Sequence, residues 1–164
     1  MVAKTMQDAL NEQIQKEYHS SYLYLAMAAY CEANNLPGAA RWMRLQSQEE
    51  LAHALKLFDH LVDRGGRVTL QAIPQPPAEY KSALDVFEKA LAHEQLITAA
   101  IHTLYALALK EGDYPAQVML QWFVTEQVEE EKSAGAVVEQ LKLIGGSTNG
   151  LLMLDRALGK RQAG

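Results

Sequence analysis

The sequence predicts an all-α fold: a four-helix bundle with one long crossover and a short fifth helix at the C-terminal end. Three observations carry that prediction. Four long stretches repeat apolar residues in alternating steps of four and three, the spacing of a helix seam that faces other helices. Strand-like alternation is nearly absent. Three of the five prolines gather between the second and third stretches, in a segment long enough to run the height of a bundle. The 164 residues, 49% hydrophobic and 21% charged, suffice for one domain spanning 1–164 with a substantial core.

The first helix is expected from about Thr5 to about Asn34. Its seam is Leu10, Ile14, Glu17, Ser21, Tyr24, Ala28 and Cys31, and Asn34-Asn35-Leu36-Pro37-Gly38 breaks it. So short a loop makes the second helix, about Gly38 to Arg64, an antiparallel neighbour. Met43, Gln46, Glu50, His53, Leu57 and His60 form its seam, and Gly65-Gly66 stops it. Arg67 to Lys81 holds three prolines and is not expected to be helical. Fifteen extended residues reach ~50 Å, more than the ~42 Å of a 28-residue helix. The third helix therefore starts parallel to the second. Val68, Leu70 and Ala72 alternate with polar residues, a weak signal for a short strand pairing with a second subunit.

Ser82 opens the third helix (82–111) as an N-cap, with Asp85 three residues on, close to a capping box. Its seam is Phe87, Leu91, Glu94, Thr98, Ile101, Tyr105 and Ala108, and Glu111-Gly112-Asp113 turns the chain. The fourth helix (114–144) has Asp113 as N-cap and Pro115 in its first turn. Its seam runs Ala116, Leu120, Phe123, Gln127, Glu130, Ala134, Val137, Leu141 and Ile144 before Gly145-Gly146. The fifth, about Asn149 to Leu158, places Leu151, Leu154 and Leu158 on one face. The helix directions read up-down-down-up.

A bundle seam is ordinarily apolar. Here each of the four carries polar groups near its midpoint: Glu17; Glu50 with His53; Glu94; and Gln127 with Glu130. Midpoints of antiparallel helices of similar length lie at one level. Four carboxylates, one imidazole and one amide therefore converge inside the bundle. A buried unpaired carboxylate is costly, and four of them repel one another. Protonation relieves one or two, and no Lys or Arg falls on the seams. Two divalent cations would neutralise the set; the alternative is a hydrogen-bonded polar layer that fixes register. Glu50 and His53, three apart, share a helix face and can reach one first-row metal ion. Carboxylates and imidazole without thiolate suit iron or manganese better than structural zinc.

Composition removes other classes. Cys31 is the one cysteine, so neither a disulfide framework nor a cysteine-based zinc or rubredoxin-type centre is available. A formal charge of −5 without a basic patch argues against nucleic acid as main partner. No stretch approaches the ~18 apolar residues of a membrane span. The opening MVAKTMQDALNEQ lacks the apolar core of a secretory signal, making a cytoplasmic location the default expectation.

Glu17, Glu50-x-x-His53, Glu94 and Gln127-x-x-Glu130 resemble the ferroxidase centre of the non-haem prokaryotic ferritins, and the resemblance extends over the crossover and the short fifth helix. It implies an iron-storage protein that oxidises Fe(II) to Fe(III) with O2 or peroxide at a di-iron centre. It also implies a homo-oligomeric shell, 24 subunits in the family, enclosing the ferric mineral. By the same resemblance, Glu17, Glu50 and His53 hold one iron; Glu50, Glu94 and Glu130 hold the second; and Glu50 bridges them. Gln127 lies close to the second, hydrogen-bonding more than ligating. The generic di-iron bundle carries Glu-x-x-His on two helices. Here Gln127-x-x-Glu130 replaces one of these, so the second site lacks an imidazole and is expected to release iron more readily.

Glu126, Glu129, Glu130 and Glu131 form an acidic run, ordinarily a solvated face. The resemblance implies instead that Glu49, Glu126, Glu129 and Glu130 make a third iron site on the cavity side. Tyr24, two turns after Glu17, reads from the residues alone as a hydrogen-bonded core tyrosine. The resemblance makes it a one-electron donor, with Trp122 a further relay candidate. His19, His60, His93 and His102 read as packing, as do Met6, Met27, Met43, Met119 and Met153. The haem-binding relatives carry methionine right after the bridging glutamate; here Leu51 stands, and haem is not expected. The leucine face of the fifth helix is expected to be buried against symmetry mates. The rival reading is a rubrerythrin-type di-iron peroxidase without a cage, disfavoured by the missing cysteine pairs and the fifth helix. A metal-free interaction module is the third.

Overall fold

The computed structural model describes Met1–Gly164. Its helices are α1 Lys4–Ala33, α2 Pro37–Asp63, α3 Ala83–Glu111, α4 Tyr114–Ile144 and α5 Thr148–Leu158, and none is long and apolar enough to cross a membrane. Each end falls within a residue or two of the position read from the sequence. The caps explain this. Ser82 Oγ accepts from Asp85 N at 3.1 Å while the Asp85 carboxylate accepts from Lys81 N at 2.9 Å, a nearly reciprocal box. Asp113 accepts from Ala116 N at 3.1 Å and from Arg64 Nη1 at 2.6 Å, so one carboxylate starts α4 and ties it to the end of α2.

The crossover lies along α1. Asn11 Nδ2 donates to Arg67 O at 2.9 Å, and its Oδ1 accepts from Thr69 N at 2.7 Å. Gln15 Nε2 then reaches Ala72 O at 3.1 Å, and Tyr80 meets Tyr30 edge-on at 5.3 Å between ring centroids. The segment thus travels from the early part of α1 to its late part, and α3 starts parallel to α2. Residues 68–72 form no strand within the chain.

The core is two apolar blocks. One holds Met6, Leu10 and Ile14 of α1 with Leu57, Ile101, Leu120 and Phe123. The other holds Tyr24, Met27 and Cys31 with Met43, Phe87, Ala134 and Val138. Glu17, Glu50, Glu94 and Glu130 fall between the blocks on their own helices, so the bundle carries an acidic layer at mid-height, clamped from both sides.

The fifth helix departs from expectation. Its leucine face is not left for symmetry mates: Leu154 and Leu158 are buried in this chain's own second block, beside Leu36, Ala39 and Phe87. The sequence pattern identified an apolar face without saying which surface would cover it. Asp155 fixes the docking. Its carboxylate accepts from Gly38 N at 3.1 Å and Ala39 N at 2.8 Å, meeting two free N–H groups at the positive start of α2. Gly38 allows this approach, since a Cβ there would stand 1.7 Å from Asp155 O. The outward residues are Leu152 and Met153, the latter 71% exposed.

Candidate metal centre

Each helix places its polar residues at the level where the two apolar blocks part. Glu17, Glu50, His53, Glu94, Gln127 and Glu130 are all buried. Two sets of three bring one ligand atom each to within 4.8 Å of one another: Glu17 with Glu50 and His53, and Glu50 with Glu94 and Glu130. Glu50 is common to both, so the two sets adjoin and share one carboxylate. His53 Nδ1 lies 3.2 Å from Glu50 Oε2.

Their surroundings push the acids toward the neutral form. Burial, and then the charge of Glu94, push Glu17 up to about 7. Burial first, then Glu94, push Glu130 up to about 8. Glu50 goes well above the ordinary carboxylate range through burial and the charges of Glu94, Glu17 and Glu130, and burial also raises Glu94. His53 is driven down to about 4, by burial and then by Lys56, and so keeps a lone pair available at neutral pH.

The donor set fits a divalent cation. Glu17 Oε1 accepts from Gln13 Nε2 at 2.9 Å, whereas Glu17 Oε2 is buried with no hydrogen-bond partner. A buried acceptor without a donor is costly, and a cation between Glu17, Glu50 and His53 satisfies it while removing the repulsion among the acids. Oxygen-rich donors with one imidazole suit Fe(II) or Mn(II).

The outer shell is amide-rich. Gln46 Nε2 donates to Glu130 Oε2 at 2.5 Å and to Glu50 Oε1 at 3.2 Å. Gln127 Nε2 donates to Glu94 Oε2 at 3.1 Å and to Thr98 Oγ1 at 3.2 Å, so its amide nitrogen orients the Glu94 carboxylate. Tyr24 is fully buried and donates its hydroxyl to Glu94 Oε1. Trp122 stacks edge-on against His53 at 5.3 Å, with Lys56 Nζ 4.2 Å over its ring.

The acidic run behaves less uniformly. Glu126 joins His53 and Glu130 in a third cluster of potential ligands, its carboxylate 4.0 Å from His53 Nε2. Glu49 and Glu129 are not brought into that cluster. Glu129 is exposed, and Glu49 is engaged by Arg161 at 2.7 Å. Sequence reasoning missed three participants. Gln13 and Gln46 each precede a candidate ligand by four residues, the spacing at which helix side chains meet, and were legible in principle. Arg161 lies beyond α5, and no periodicity points to it. Among the histidines read as packing, His93 accepts from or donates to Ser20 Oγ at 2.7 Å.

Known proteins share this arrangement of helices. The family model of the ferritin-like domain matches residues 7–144. A bacterial non-haem ferritin of Campylobacter jejuni is 43% identical over 156 residues, 95% of this chain and 93% of that protein. One from Escherichia coli is 40% identical over 158 residues, 96% of each chain. Among solved structures, an engineered closed form of the Archaeoglobus fulgidus ferritin superposes with a TM-score of 0.98 at 48% identity, covering all of both chains. The open pore ferritin of the same archaeon gives 0.97 at 48% identity over 98% of each. Matched in this way over nearly its whole length, the chain belongs to the ferritin family, among the non-haem ferritins of bacteria and archaea.

Proposed function

We propose that the protein stores iron in the cytoplasm and oxidises it on entry. Fe(II) is the substrate, and Fe(III) leaves the paired site for a mineral inside a shell of like subunits, 24 by the family pattern. The observation that carries this reading is the pair of three-residue sets sharing Glu50. Two Fe(II) ions bound side by side supply two electrons to one O2 or peroxide, which neither supplies alone; two-metal sites hold their ions ~3.5–4 Å apart. Glu17 and His53 complete one site, Glu94 and Glu130 the other. The acids bind by releasing protons, since burial raises each of them and a cation takes the place of the proton it holds.

Tyr24 supplies a further electron in this reading. Its hydroxyl already donates to Glu94, so an electron leaving the ring is matched by a proton moving along that bond. Trp122 against His53 is the corresponding candidate on the other site. Glu126, clustered with Glu130 of the pair, offers product Fe(III) a further hard oxygen donor, a first stop toward the cavity. Haem has no part in this scheme.

Stopped-flow oxidation of Fe(II) tests the proposal. The wild type should oxidise two Fe(II) per chain in a fast phase, and Glu94→Ala should remove that phase while leaving the oligomer intact. An unchanged rate in Glu94→Ala overturns the site assignment. Gel filtration and electron microscopy of iron-loaded protein test storage: a particle of several hundred kilodaltons with a dense interior supports it. A dimer favours a cage-free di-iron peroxidase.

A further inference from the structure

The segment after α5 folds back onto α2. Arg161 Nη2 donates to Glu49 Oε2 at 2.7 Å and to Gln46 Oε1 at 2.9 Å, and Nη1 donates to Trp42 O at 3.2 Å. The guanidinium also lies 4.3 Å over the Trp42 ring. Residues 42, 46 and 49 stand on successive turns of one face of α2, so a single planar fork reads one stripe of that helix. The ion pair is sheltered, with side-chain exposures of 19% for Arg161 and 23% for Glu49.

Gln46 is the link to the metal centre. Arginine has only donors, so its contact fixes the Gln46 carbonyl oxygen toward Arg161. The amide nitrogen must then face the other way, where it meets Glu130 and Glu50. Without Arg161 the amide is free to turn over, presenting an acceptor to two acids. Glu49 directly precedes the shared Glu50 on α2, and its charge helps raise Glu126 and Glu130, yet its carboxylate is taken by Arg161.

We propose that Arg161 is a positioning residue of the metal centre: it sets the Gln46 amide against Glu50 and Glu130, and it keeps Glu49 from serving as an additional ligand outside the pair. This rests on the paired-site reading above. The role reaches the metal ions only through Gln46 and Glu49, and it places the segment after α5 under the same constraint as the four bundle helices.

Anaerobic Co(II) titration of the assembled, metal-free protein tests it, reading the visible ligand-field bands and the number of ions bound. The wild type should take two Co(II) per chain. Arg161→Gln should weaken the second by roughly 10–100-fold, the usual loss when a partner orienting a ligand is removed. It should also gain a further Co(II), which the added Glu49→Gln change abolishes. Arg161→Lys keeps the charge but not the planar fork. It should suppress the extra ion while leaving the second site weakened. This variant decides the matter should Arg161→Gln fail to assemble. Titrations of Arg161→Gln, or in its place Arg161→Lys, that superimpose on the wild type overturn the role of Arg161 alone. A wild type that binds fewer than two Co(II) overturns the paired-site reading and this role with it.

Discussion

Stripping metal from this protein should make its stability fall as pH rises from 6.5 to 8. Glu17 and Glu130 are held neutral in the fold to about 7 and about 8, against 4.5 when unfolded. For a carboxyl raised in this way, the folded chain keeps a proton that the unfolded chain has lost. Stability is then full below 4.5 and drains away until the folded value is passed. His53 and His93 work in the opposite sense. Burial first, with Lys56 and His19 respectively, drives both to about 4, so they favour folding progressively as pH rises toward 6.5 and add nothing beyond it. Above 6.5 the acids act alone. At about 1.4 kcal/mol per unit, Glu130 and Glu17 together contribute a loss on the order of 3 kcal/mol over this window, and Glu50, raised by burial, adds in the same direction. For a chain of this size that is a fall in Tm on the order of 6–12 °C. Calorimetry of chelator-treated protein at pH 6.5 and 8 measures it. Glu130→Gln should shrink the drop, and saturating Co(II) should remove nearly all of it. A Tm that holds or rises over the window, or an equal drop in Glu130→Gln, would refute the account of the acidic layer.

Other perturbations separate the parts of the site. Glu50 is in both ligand sets, so Glu50→Ala should lose both Co(II) ions, while Glu17→Ala and Glu94→Ala each lose one; spectroscopic titration distinguishes these outcomes. With Gln127 donating to Glu94 where a second imidazole would bind, one iron of the pair should leave to a ferrous chelator at least several times faster than the other, and equal rates would count against it. Tyr24→Phe preserves the packing but removes the hydroxyl that meets Glu94, so a tyrosyl signal in electron paramagnetic resonance after O2 addition should disappear. Asp155→Ala removes two charge-assisted bonds at the start of α2, each worth about 1.5–3 kcal/mol; the Tm should fall and proteolysis after α4 should accelerate, with unaltered digestion as the contrary result.

The bundle was legible because its signals are local or periodic. Ser82, Asp113 and the Gly-rich stops act within a turn of themselves, and the 4-3 seams of α1 to α4 need only the helix repeat. The acidic layer was legible for a related reason: a carboxylate on an apolar seam stands out, and four at equal heights can meet only inside. What sequence did not give away is contact between surfaces that share no period. Leu154 and Leu158 announce an apolar face on α5, yet its burial against α2 depends on Gly38 admitting the Asp155 backbone. Arg161 finds Trp42, Gln46 and Glu49 across more than a hundred residues. Of the acidic run, Glu126 and Glu130 join His53 while Glu49 is diverted to Arg161, a division that spacing alone treats as one patch.

The acidic layer and the apolar blocks explain each other. Left alone, four carboxylates at one level would splay the helices until water reached them. Fully buried Leu10, Leu57, Ile101 and Phe123 on one side, with Tyr24, Met43 and Phe87 on the other, prevent that. The acids are left with two ways to reduce their repulsion: hold protons or bind cations. Protons lessen the repulsion, in line with the raised values of Glu17 and Glu130, but they leave Glu17 Oε2 without a partner. A divalent cation would meet that oxygen and displace the protons together. Apolar packing would therefore have a direct part in metal affinity, because it denies these acids the relaxation that would make them indifferent to a cation.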